Sequence, residues 1–216
     1  MHPQPTPQHG TRDRLYIEDT RQRVREGHPW VYDNQVLRFE GRPKPGGIVQ
    51  VFDVKKGPLG QGFFNPKSKI RVRMLTKDLD EPIDAGFFRR KVQAAWDFRL
   101  RMGQPESCRV VFGEADGLPA LIVDKFNDIL VLQTLALGMD RFKAEIVQAR
   151  REVLKPRGVY ERNDVPVREK EGLEQVKGFI GDEFDTRLTI EENGLRFNVD
   201  VAGGQKTGHF LDQRLD

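Results

Sequence analysis

A chain of 216 residues is long enough for one large domain or two to three small ones, and at 37% hydrophobic and 32% charged residues its composition excludes overall disorder. A single cysteine, Cys108, excludes an intramolecular disulfide and any multi-cysteine metal site, and no apolar run approaches the roughly 20 residues of a membrane span, so a cytoplasmic location is expected. The net charge of +3 conceals an asymmetry: residues 1–77 hold 15 Lys and Arg against 7 Asp and Glu, and the remainder holds 21 against 26. A basic first third on a mildly acidic body points to a polyanion-binding module, nucleic acid first, with a solvated basic face as the alternative.

The opening "MHPQPTPQHG" has prolines but no apolar core, which predicts a disordered tail over residues 1–11 and excludes a signal peptide. Residues 12–77 then read as a compact β-rich unit. Two strand-like runs in "GGIVQVFDVKKGPLGQGFFNP" are joined by a turn at Lys56-Gly57-Pro58. In "KIRVRMLT", Ile70, Val72 and Met74 alternate with Arg71 and Arg73, which predicts a half-buried strand with a basic outer face. Arg71, Arg73, Lys55, Lys56, Lys67 and Lys69 are the candidates for contacts to an RNA backbone, because folded RNA is read largely through shape and phosphate. Trp30 and Tyr32 have the chemistry to stack on a splayed base, although Trp30 beside a proline also suits core packing.

"DLDEPIDAG" marks a boundary. After it Phe88, Val92, Trp96 and Leu100 recur every four residues, predicting an amphipathic helix over 85–102 with Asp84 as its N-cap. Three strands follow in "CRVVFGE", "PALIVDKF" and "DILVLQTLA". A second helix over 139–154 carries Phe142, Ile146 and Val153, and "GVYERND" returns as a strand. Residues 80–185 thus form an expected α+β domain. A hairpin turning at Asn193-Gly194 comes next and feeds into "GGQKTGHFLDQRLD".

That ending has the look of a phosphate loop, but Gln205 and Asp200 stand where the glycines of such a loop are required, and an acid would repel phosphate. The four histidines, at 2, 9, 28 and 209, match no zinc spacing, and Cys108 has no local base, so no metal site and no catalytic residue is assigned.

"EGHPWVYDNQV", "EADGLPALIVDKFNDILVLQ", "GVYERNDVPVREKEGL" and "IEENGLRFNVDVAGGQKTGHFLDQR", in this order, resemble the class I S-adenosylmethionine-dependent methyltransferases that modify cytosine C5 in large-subunit ribosomal RNA. The resemblance implies an α+β protein: a PUA-like β-barrel over 12–77, a central α+β domain over 80–185, and from 186 a hairpin opening a Rossmann-like methyltransferase domain. It implies RNA, and large-subunit rRNA in particular, as the partner. It also places Lys206, Thr207, Phe210, Asp212 and Arg214 beside S-adenosyl-L-methionine, with Arg214 suited to the cofactor carboxylate and Phe210 to a wall. The glycine-rich cofactor loop and nucleophilic cysteine of that family would follow residue 214. The chain is therefore expected to be a truncated first half, frayed over 205–216, binding cofactor weakly or not at all, with exposed apolar surface near its end that favours a homodimer. A non-catalytic RNA-binding module or a protein adaptor is the competing expectation.

Overall fold

The computed structural model describes residues 13–103, 106–209 and 211. The expected tail over 1–11 and the site positions Phe210, Asp212 and Arg214 lie outside the described residues. The chain divides into two compact units, residues 1–79 and 80–216.

The first unit contains β1 (Arg14–Ile17), α1 (Arg23–Glu26), β2 (Trp30–Tyr32), β3 (Val36–Glu40), β4 (Ile48–Asp53), β5 (Gly57–Phe64) and β6 (Ile70–Thr76). They form one six-stranded sheet in the order β2-β6-β5-β4-β1-β3. β1 runs parallel to β4, and the other pairings are antiparallel. Leu15, Ile17, Val31, Val49, Val51, Leu59, Phe64 and Val72 meet in its core. The turn between β4 and β5 occupies residues 54–56, and Asp53 builds it. One Asp53 carboxylate oxygen accepts from the amides of Lys55 (2.9 Å) and Lys56 (2.7 Å), and the other accepts from the amide of Asp19 (2.8 Å). Burial opposes ionisation of this acid, yet these three N–H donors hold its carboxyl below the usual range.

The second unit opens with α2 (Ala85–Arg101), and the Asp84 carboxylate accepts from the Phe87 amide at 2.9 Å as the N-cap. Its mixed sheet has the order β11-β10-β9-β8-β7, built from β7 (Ser107–Phe112), β8 (Leu121–Phe126), β9 (Ile129–Thr134), β10 (Gly158–Asn163) and β11 (Val176–Phe179). β9 and β10 are parallel, so the chain crosses over between them. The crossover is two helices, α3 (Leu137–Arg141) and α4 (Lys143–Leu154), broken at Phe142 where the sequence pattern predicts one. A short α5 (Val167–Lys170) follows β10. Finally β12 (Arg187–Glu192) and β13 (Leu195–Asp200) form the predicted hairpin. Asn193 (φ 51°) and Gly194 (φ 78°) supply the two left-handed residues of its turn. Ile190, Val199, Val201 and Leu211 pack against Phe126, Ile129, Val131 and Tyr160, so the hairpin shares one core with the sheet. No helix of the described residues is long and apolar enough to cross a membrane.

Candidate functional site

Two regions hold the residues to which the sequence assigns function, one in each unit. In the first unit four of the six basic candidates flank the two ends of β5, and Arg71 and Arg73 lie on β6. Lys55 and Lys56 lie in the turn before it, and Lys67 and Lys69 lie in the loop after it, roughly 23 Å away at about 3.3 Å per strand residue. Lys55 is paired to Glu18 at 2.6 Å, which raises its pKa and lowers its value as a free cation. Lys67 and Lys69 are exposed, and no ion pair involving either occurs among the described residues. Arg71 is half-buried, and its guanidinium donates to the carbonyls of Asn65 and Pro66, closing this loop from beneath.

Arg73 corrects the expected basic outer face of β6. It is 9% exposed, and its guanidinium lies 5.6 Å from the Trp30 ring. The physical reason is that β6 is an interior strand, with β2 and β5 on either side, and Trp30 is the cross-strand neighbour of Arg73 on β2. An aromatic wall therefore covers one of the two arginines.

The first unit also has a cavity of about 230 Å³ lined by residues that include Asp19, Arg21, Arg23, His28, Trp30, Tyr32 and Gln35. The His28 ring is edge-on to Trp30 (88°, 5.8 Å), and Trp30 is edge-on to Tyr32 (87°, 6.3 Å). The Trp30 amide donates to His28 Nδ1 at 3.2 Å, so this histidine shapes the turn into β2.

In the second unit the segment 200–209 is a sequence of tight turns clamped on the sheet. The Asp200 carboxylate accepts from the amides of Ala202 and Gly203, both at 3.0 Å. These bonds, with Gly203 the larger influence, hold its carboxyl below the usual range. A Cβ at Gly204 would lie 2.5 Å from the Asp200 carbonyl oxygen, and one at Gly208 (φ 125°) would lie 2.9 Å from the Val199 side chain. These glycines serve close packing.

Arg162 on β10 locks the same turns from below. Its Nη1 donates to the carbonyls of Val201 (3.0 Å) and Gly204 (2.9 Å), and its Nε donates to Asp164 at 2.9 Å. Thr207 is fully buried and donates from Oγ1 to Asp124 of β8 at 2.5 Å. Asp124, also fully buried, is gripped by Arg109 of β7 through two bonds of 2.8 and 3.0 Å. His209 meets the Glu192 carboxylate at 3.0 Å on the hairpin.

Within the segment expected to fray, Thr207 and His209 have packing partners in Asp124 and Glu192, which two isolated helical turns would lack. Lys206, by contrast, is exposed with a left-handed backbone (φ 55°). The structure thus separates Lys206 from Thr207: one faces solvent and the other is an anchor whose hydroxyl is already used. The described residues of this segment do not by themselves make a cofactor pocket. Sequence reasoning missed Asp124, Arg109 and Arg162. The one available signal was an acid inside the apolar run "LIVDKF", which in a core strand demands a buried partner.

Comparison with known proteins gives these sites their context. Residues 18–77 match the PUA-like domain family. The Ribosomal RNA large subunit methyltransferase I of Alteromonas mediterranea is 42% identical over 194 residues, covering 88% of this chain and 49% of that protein. A candidate SAM-dependent methyltransferase from Streptococcus mutans shares the fold with a TM-score of 0.74 at 20% identity, over 93% of this chain and 52% of that one. A second solved structure, a candidate methyltransferase complexed with SAH, superposes with a TM-score of 0.75 at 20% identity, again over 93% of this chain and over 51% of that one. The chain spans about half the length of the curated relatives it matches. Residues 18–77 are therefore a PUA-like domain, and 88% of the chain is homologous to about half of a protein named Ribosomal RNA large subunit methyltransferase I.

Proposed function

We propose that this chain is the RNA-docking portion of an S-adenosylmethionine-dependent methyltransferase acting on large-subunit ribosomal RNA, with cytosine C5 of 23S rRNA as the methyl acceptor. The observation that carries the reading is 42% identity to an rRNA methyltransferase across 88% of the chain, joined to a PUA-like unit with exposed lysines on one loop. Residues 80–216 then form a platform on which Asp124 and Arg162 hold the segment 200–209, leading toward the cofactor positions Phe210, Asp212 and Arg214.

On this reading the chain alone binds S-adenosylmethionine weakly or not at all, and methyl transfer needs the further segment that its relatives possess. Titration calorimetry is the check: micromolar affinity of the 216-residue chain for S-adenosylmethionine would overturn the proposed division of labour.

RNA docking has its own signature. Lys67→Glu with Lys69→Glu is expected to weaken binding of a 23S rRNA fragment several-fold, and more than Lys55→Glu with Lys56→Glu, because Lys55 already serves Glu18. Losing two phosphate contacts should also flatten the dependence of log K on log salt by roughly 1.5. Equal, salt-independent affinities for all three proteins would favour a protein-binding adaptor instead.

A further inference from the structure

We infer that the cavity formed by His28, Trp30, Tyr32, Asp19 and Gln35 is a receptor for a single unpaired nucleobase of the bound RNA. The inference rests on the RNA-docking reading and deepens it. Three properties of the cavity point the same way.

The first is size. At about 230 Å³ it lies below the roughly 300–1,000 Å³ of pockets for drug-sized ligands, and it is far too small for paired nucleic acid. It suits one planar ring system. The second is the wall. Three aromatic rings border the cavity, all half-buried, so each is held by packing yet keeps solvent-facing surface. Trp30 is further fixed by Arg73 against its ring. A rigid aromatic face needs no ordering on binding, and every base has a π-face to offer it.

The third is a buried hydrogen-bond acceptor. Asp19 is 4% exposed on the cavity wall. One of its oxygens accepts from the Arg25 amide at 3.2 Å, and a carboxylate has room for further donors. A base edge brings the N–H donors that such a carboxylate accepts. Gln35, which also lines the cavity, is held by its Oε1 accepting from the Tyr32 amide at 2.8 Å. Exposed Arg21 and Arg23 also line the cavity, where their guanidinium groups can meet the phosphates of the same nucleotide. Aromatic rings, a buried acceptor and two arginines around one small cavity suit a single flipped-out nucleotide.

Trp30 is a built-in reporter. The second tryptophan, Trp96, lies in the other unit, so Trp96→Phe leaves Trp30 as the sole indole. In that background a short single-stranded oligoribonucleotide should quench Trp30 fluorescence, and a fully paired duplex of the same sequence should not. Removing a stacking aromatic changes single-strand affinity by roughly 5- to 150-fold in general. Tyr32→Leu, which keeps apolar bulk, should therefore weaken single-strand binding about tenfold and leave duplex binding unchanged, and Tyr32→Phe should restore most of it. Circular dichroism and the thermal midpoint of Tyr32→Leu verify that it folds. If it does not fold, Asn34→Asp at the rim replaces it, since a second acid there should weaken single-strand binding selectively.

The two readings fail differently. Salt-sensitive RNA binding with no Trp30 quenching, and equal single-strand affinity of wild type and Tyr32→Leu, would overturn the base receptor alone. Absence of salt-sensitive binding to any RNA would overturn the docking reading and the receptor with it.

Discussion

Asp124→Ala should lower the stability of residues 80–216 by about 3–5 kcal/mol, the usual consequence of removing one partner from a buried ion pair. Asp124 is fully buried, and the Arg109 side chain bonded to it is only 14% exposed. Without the acid, the Arg109 guanidinium keeps its charge in a place that water barely reaches, and the Thr207 hydroxyl loses its acceptor. The expected loss is much larger than that of an exposed pair such as Arg157 with Asp128, where water replaces either partner and the typical effect is below about 1 kcal/mol.

The measurement is urea unfolding followed through Trp96 in a Trp30→Phe background, which isolates the second unit. At an m-value of about 2 kcal/mol/M the transition should move down by roughly 2 M. A double-mutant cycle with Thr207→Val then tests the anchoring of segment 200–209. Thr207→Val alone strands one lone-pair site of an acid that keeps Arg109, so it should cost only about 1–2 kcal/mol. In the Asp124→Ala background the same change should cost almost nothing, since the bond is already gone. Full additivity would mean that the Thr207–Asp124 contact does not hold this segment to the sheet.

This anchor also marks the limit of what the sequence made legible. Local chemistry was readable. Asp84 caps α2 as its side-chain type and position predict, and Asn193-Gly194 turns the last hairpin because both residues tolerate positive φ. The helical stripe was readable only in part. A strict four-residue repeat advances 400° on a helix of about 3.6 residues per turn, so it drifts about 40° off the buried face at each step. The structure accordingly buries Phe88, Val92 and Ala95, leaves Trp96 half-buried, and exposes Leu100 to 46%. Across long sequence separations nothing local announces the partner. Thr207 finds Asp124 from 83 residues away, Arg162 finds the Val201 carbonyl from 39, and β1 pairs in parallel with β4 across the intervening α1, β2 and β3. The expected exposure of Arg73 differs for the same reason: strand alternation gives two faces, but only the strand order says which face a tryptophan covers. The motifs nonetheless pointed to relatives named as large-subunit rRNA methyltransferases, because a motif records residues that a long-range site needs without showing how they meet.

Arg150→Met should stabilise the second unit, by about 1–4 kcal/mol, which is the range seen when buried ionic groups give way to apolar side chains of similar volume. Arg150 is wholly buried on α4. Its Nε donates to the Ile146 carbonyl at 3.1 Å, but its two terminal nitrogens find no acceptor among the described residues. Burial first, and the neighbouring Arg151 second, pull the guanidinium down to about 9, with Glu161 only partly offsetting them. The sign of the pH dependence follows. Above pH 9 the unfolded chain still binds a proton that the folded chain has released, so wild-type stability gains up to about 1.4 kcal/mol per pH unit relative to the variant. Below pH 9 both states carry the charge, and the folded state bears the whole desolvation penalty. The advantage of Arg150→Met should therefore be constant between pH 7 and 8.5 and shrink steadily as the pH is raised past 9. Paired urea titrations of wild type and variant at pH 7.5 and 10 read this difference directly, with the other alkaline groups cancelling between the two proteins. A destabilised variant, or an advantage that grows with pH, would show that the Arg150 charge is compensated where it lies.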